Sequence, residues 1–223
     1  MKKFILFLSL TVLLSPAFAQ NLVDNKGQND PKAKVILDKV SAKYEAYTSM
    51  KSTFTIKIED TKGVQKEDPQ SGTLYLKGNK FKVELGDQEI SCDGMTLWTY
   101  LTDVNEVQIS DYEPSADMIE PSELFSVYDQ DFLYKLNADV TEGGITYNEI
   151  ELTPIDKDNS GFFKIKMYIN KTDYSIVKAK IYSKNNLVFI YKVDSFTANP
   201  SLTDDFFKFD ATKYKGITIT DLR

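Results

Sequence analysis

Side-chain catalysis and metal binding draw on few residue types, and this chain of 223 residues has no histidine and one cysteine, Cys92. The commonest general base and metal ligand at neutral pH is therefore missing, and a lone thiol makes neither a thiolate metal site nor an internal disulfide. Cys92 reads as a half-buried strand thiol. No Gly-x-Ser-x-Gly, P-loop or Gly-x-Gly-x-x-Gly run occurs. The 33 Asp and Glu residues could supply a glycosidase pair, but they are scattered over polar strand positions and turns, where solvation accounts for them. Asp156, Asp158, Ser160 and Gly161 match the first half of a calcium loop. Its twelfth position is Met167, which offers no bidentate carboxylate, so a hairpin turn is expected there. The expectation is no catalytic residue, no metal and no cofactor.

Large apolar side chains are what the chain has in quantity: 14 Phe, 13 Tyr and 5 Met. They can build a solid β core, or they can line a cavity between a curled sheet and its helices. Alternation of apolar residues serves both readings equally.

Met1-Lys2-Lys3, the apolar run from Phe4 to Leu14, and Pro16-Ala17-Phe18-Ala19 have the three regions of a secretory signal peptide, with cleavage expected after Ala19. The run is too short to span a bilayer, and no cysteine stands at the cleavage site to take a lipid anchor. The mature chain is expected to be soluble in an exported compartment. Loss of Lys2 and Lys3 moves the formal net charge from −6 to −8, which repels nucleic acid. With no repeat and no low-complexity tract, residues 20–223 read as one domain.

Asp30 and Pro31 are start signals for a helix over about 31–48, where Val35 or Ile36, Val40, Tyr44 and Tyr47 recur on one face that covers a sheet. Alternation predicts strands at Phe54–Ile58, Gly72–Lys77 and Phe81–Leu85, with a turn at Gly78-Asn79. A meander follows from Ile90 to Tyr112. In it Asp93-Gly94 signals a two-residue type I′ turn, and Met95, Leu97 and Leu101 face away from Trp98 and Tyr100. A second turn spans Thr102–Asn105. Residues 111–133, punctuated by Pro114 and Pro121, predict one or two short helices carrying Met118, Ile119, Leu124, Phe125, Phe132 and Leu133. Five strands are expected at about 134–140, 145–153, 161–170, 175–183 and 187–196, with Phe163, Ile165, Met167 and Ile169 on one face of the third. Phe206, Phe207, Phe209, Ile217 and Ile219 suit a final packed segment. About eleven sequential antiparallel strands must curl, which gives a mainly β fold with helices filling the concave side.

Asp93-Gly94-x-Thr96-Leu97-Trp98-x-Tyr100, followed by Val104-x-x-Val107, resembles the hallmark of the LolA family, periplasmic carriers of outer-membrane lipoproteins. Phe207-Lys208-Phe209 and Gly216-Ile217-Thr218-Ile219 are similar to the family's Phe-x-Phe and Gly-Val-x-Val ending. The segment from Leu74 to Phe81 is similar to its Leu-Trp-x-Lys-Arg-Pro-x-x-Phe. The resemblance implies an unclosed antiparallel β-barrel with a helical lid over an apolar cavity that holds acyl chains. It also implies loading by an inner-membrane ABC lipoprotein-release complex and, in some bacteria, unloading onto an outer-membrane receptor. The chain departs from the family at Gly78, where an arginine ties the lid to the barrel. Lys77 or Lys80 could substitute for it as a point charge but not as a bidentate donor.

On this resemblance, lipoprotein acyl chains are expected against Phe54, Ile56, Leu74, Leu76, Phe81, Val83, Leu97, Trp98, Phe163, Ile165 and Met167. The lid is expected to draw on Val40, Tyr44, Met118, Leu124, Phe125 and Phe132. As part of this carrier reading the chain is expected to be a monomer. The alternatives are a lipid-sensing regulatory module on the same fold and a carrier of another lipid or hydrophobic molecule.

Overall fold

The computed structural model describes residues 29–113 and 131–223. Helix α1 (Pro31–Glu45) precedes β1 (Met50–Asp60), β2 (Gln70–Lys77), β3 (Lys80–Leu85), β4 (Gln88–Cys92), β5 (Thr96–Leu101) and β6 (Glu106–Asp111). After the undescribed residues come β7 (Phe132–Leu136), β8 (Val140–Glu142), β9 (Ile145–Pro154), β10 (Phe162–Asn170), β11 (Ile176–Ser183) and β12 (Leu187–Ala198). Two 3-10 turns, Asp204–Phe207 and Ala211–Lys213, lead to β13 (Thr218–Asp221). All the described strands join one sheet in the order β13-β6-β5-β4-β3-β2-β1-β12-β11-β10-β9-β7, with β8 beside β9. β7 and β13 do not pair, so the barrel stays unclosed. Every pairing between these strands is antiparallel except β13 with β6.

Asp30 caps α1 by accepting the Lys32 N–H at 2.8 Å, and Pro31 occupies the first turn. The buried stripe is Ala33, Leu37, Val40 and Tyr44, at spacings of three and four. Val35, one option for that stripe, is 55% exposed, whereas Ile36 is half-buried against the core. The helix stops at Glu45, short of the expected 48, because Asn199 captures the Thr48 N–H at 2.8 Å and Ser49 donates to the Pro200 carbonyl. Those bonds turn the chain into β1.

Three expectations are corrected. Asp93-Gly94 is not a type I′ turn, since only Gly94 has a positive φ (+94). The Cys92–Leu97 pair closes a longer loop, in which the Asp93 carboxylate accepts the N–H groups of Met95 and Thr96. The strand expected at 134–140 is two strands, β7 and β8, both on β9 and separated by Asn137–Asp139. Phe132 and Leu133, assigned to a helix, open β7 opposite Pro154 and Thr153. The other residues assigned to mid-chain helices up to residue 130, and the signal peptide, lie outside the described residues.

One face of the sheet curls around α1. The buried cluster there unites Ala33, Leu37, Val40 and Tyr44 with Leu74, Leu76, Phe81 and Cys92 from the first half of the sheet. The second half contributes Tyr134, Ile150, Leu152, Ile165, Met167 and Ile169. The opposite face of β2–β6 carries the C-terminal segment. Phe206 packs on Tyr75 at 4.9 Å, Phe209 and Tyr214 pack on Tyr100, and Phe207 is fully buried.

Candidate functional site: an apolar concave wall

Strand register sorts the concave side chains into rows, because directly opposed residues share a face. One row runs Ile56, Tyr191, Ala179, Met167, Ile150 and Leu136 across β1, β12, β11, β10, β9 and β7. The next runs Ile58, Phe189, Ile181, Ile165, Leu152 and Tyr134. In both, the β11-to-β7 portion belongs to the packed cluster with α1. Ile56, Ile58, Phe189 and Tyr191 do not; they are half-buried. The rows through β2–β5 add Leu76–Phe81–Cys92–Leu97 and Leu74–Val83–Ile90. The concave face is therefore an apolar wall that continues past the helix.

Of the residues assigned to an acyl-chain cavity, Phe54, Leu74, Leu76, Phe81, Val83, Leu97, Ile165 and Met167 converge in or against this cluster, together with Val40, Tyr44 and Phe132 from the assigned lid. Ile56 sits on the wall beyond the cluster. Two assigned residues face away from it. Trp98 alternates with Leu97 and shares the convex face with Tyr100. Phe163 is 44% exposed, because the register shift between Phe162 and Lys164 inserts a residue and turns Phe162 inward in its place. Met118, Leu124 and Phe125 lie outside the described residues. Sequence reasoning missed Ile58, Phe189 and Tyr191. Ile58 extends the visible Phe54–Ile56 alternation, but Leu187–Val193 is apolar on both faces and only the β1–β12 register decides which side is inward.

Gly72 is required where it stands. A Cβ there would come within 2.6 Å of the Phe54 ring and 2.7 Å of the Glu84 carbonyl, so the ring occupies the space a side chain would need. The open depression of about 440 Å³ beside it is lined by Thr53, Ser71, Thr73, Glu84 and Asp194 among others. Its polar rim does not suit acyl chains.

Polar ties hold α1 to one side of the sheet. The Asp30 N–H donates to the Tyr134 carbonyl, Leu136 N–H donates to the Asp30 carboxylate, and Lys39 reaches the Tyr174 hydroxyl. Lys43 reaches Asp173, and the Tyr44 hydroxyl accepts the Ile176 N–H. Burial pushes the Tyr44 phenol up to about 12, so it stays protonated. These bonds from α1 to the sheet all go to β7 or to the start of β11 and the turn before it. Toward β2–β5 the cluster that α1 joins is apolar.

The sequence profile described as outer membrane lipoprotein carrier protein LolA matches residues 45–210. The chain belongs to the LolA family. An uncharacterized conserved protein from Thermus thermophilus superposes with a TM-score of 0.55 at 16% identity, covering 85% of this chain and 99% of that one. Lipoprotein LppX from Mycobacterium tuberculosis superposes with a TM-score of 0.50 at 13% identity, covering 79% and 100%. Both likenesses concern the fold. No curated protein matches the sequence.

Gly78, which the family resemblance sets opposite the arginine, has φ +58 in the β2–β3 turn. Neither neighbouring lysine replaces the arginine by reaching toward the concave side. Lys77 and Lys80 both bind Asp204 of the C-terminal segment at 2.9 Å, and Lys77 also donates to the Leu202 carbonyl. Hydrogen bonds from Lys80 and Lys77 pull the Asp204 carboxyl down to about 2.

Proposed function

We propose that this protein is a periplasmic carrier that holds the acyl chains of lipoproteins against its concave apolar wall and moves them from an inner-membrane ABC release complex to the outer membrane, without catalysis. The supporting observation is the one-sided attachment of α1. Its described hydrogen bonds run to the β7–β11 side, while the rows of Leu74, Leu76, Phe81 and Val83 meet the buried cluster as apolar side chains. An apolar seam parts without leaving unsatisfied donors, and an acyl chain replaces the lost contacts in kind. Each buried methylene contributes roughly 0.8 kcal/mol, so the closed seam must compete with cargo for release to be possible. The test is extraction: purified protein incubated with membranes bearing the release complex and ATP should carry away lipoprotein. Retention of all lipoprotein in the membrane fraction would refute the proposal.

A second reading, carriage of a different lipid, rests on Gly78 and on the commitment of Lys77 and Lys80 to Asp204, which leave the family's latch chemistry without a successor. Native mass spectrometry of protein purified from its own periplasm separates the two: a lipoprotein mass supports the first, a free lipid the second.

A further inference from the structure

Tyr191 is the concave-row residue on β12 that carries a polar group into the apolar wall beyond the packed cluster. Its row neighbours are Ile56 on β1 and Ala179 on β11, and the row beyond is Ile58, Phe189 and Ile181. Ala179 is the smallest side chain of that row, so the ring is crowded least on that side. The Tyr191 hydroxyl makes no hydrogen bond to any described residue. Tyr44, by contrast, satisfies its own hydroxyl with the Ile176 N–H. A phenol set in an apolar wall without a partner is less favourable than phenylalanine of the same shape, because the hydroxyl loses part of its hydration. Burial raises its pKa, so the group remains an O–H donor throughout the neutral range.

We propose that Tyr191 is a specificity-determining contact for the cargo, its O–H donating a hydrogen bond to the carbonyl oxygen of an acyl ester where the hydrocarbon chains join their headgroup. This deepens the carrier reading and rests on it. The wall of Ile56, Ile58 and Phe189 takes methylenes in any order, whereas a single donor among them fixes how deep a chain sits. Carbonyl-bearing lipids are thereby distinguished from hydrocarbons of equal length.

The experiment compares two synthetic lipopeptides with the same peptide and chain lengths, one with two ester-linked chains and one with two ether-linked chains. Each is titrated against the wild-type protein and Tyr191→Phe. One neutral hydrogen bond corresponds to about fivefold in affinity. The wild type should bind the ester about fivefold more tightly than the ether. Tyr191→Phe should lose that preference by weakening the ester, with its ether affinity no weaker and its melting temperature no lower than those of the wild type. Equal ester and ether affinities in the wild type, or the same preference in both proteins, would overturn the inference while leaving the carrier reading intact. Failure of the wild type to bind either lipopeptide would overturn the carrier reading and this inference together.

Discussion

The two faces of the sheet are covered in opposite ways. On the convex side the C-terminal segment is fastened along its length. Asp204 is held by Lys77 and Lys80, Phe207 is fully buried, and Phe209 stacks on Tyr214 over Tyr100. Asn105 donates to the Lys215 carbonyl, and β13 adds parallel strand pairing to β6. On the concave side the described hydrogen bonds of α1 go to one half of the sheet, and the helix shares an apolar cluster with the other. Burial alone does not separate these covers, since both contain fully buried side chains. The difference lies in where the described hydrogen bonds go: along the C-terminal segment on one face, and to one half of the sheet on the other.

The comparison breaks most clearly at Phe207. Phe207→Ala should cost about 3–5 kcal/mol in urea denaturation, as expected for emptying a fully buried aromatic site, and added lipid should restore none of it. Leu37→Ala, on the helical cover, should cost about 2–4 kcal/mol in the empty protein. There the loss should shrink when a lipopeptide is added, because an acyl chain can fill the void. Equal lipid responses of the two variants would erase the distinction between the faces. Gly72→Ala should cost about 1–3 kcal/mol by driving Phe54 off the β2 backbone, with the circular dichroism spectrum unchanged.

The smallest effect is expected at Asp204. Its carboxyl is lowered in the folded state, so the stability it contributes is present above the unfolded value of 3.8 and is lost as pH falls through about 2. Asp204→Asn should flatten the pH dependence of stability in that window only. The pair is solvent-exposed, and added salt should mute the difference as well.

Much of the architecture is legible from alternation alone, because a strand with one buried face writes its period into the sequence. The six strands before residue 112, the Gly78-Asn79 turn and the Asp30-Pro31 helix start all follow from such local signals. Misreadings arise where local signals leave a choice that only strand pairing makes. Phe163 fits a perfect alternation, yet the bulge beside it puts Phe162 inside. The stretch Leu187–Val193 can face either way until its register with β1 is known. Likeness to a motif places Lys77 and Lys80 near a lid, but their alternation against Leu76 and Phe81 directs them to the convex side, where Asp204 lies 127 and 124 positions later in the chain.

Asp30 divides its carboxylate between two duties: one oxygen caps α1 through Lys32, and the other takes the Leu136 N–H on the outermost strand of the sheet, next to the Asn29 side chain that takes the Tyr134 N–H. Withdrawing this end of the helix would bare two strand donors and invite the edge to recruit a neighbouring molecule. The pivot for any swing of α1 therefore belongs at its N-terminus, and self-association on replacing Asp30 with alanine would be the sign that this residue guards the molecule against polymerising.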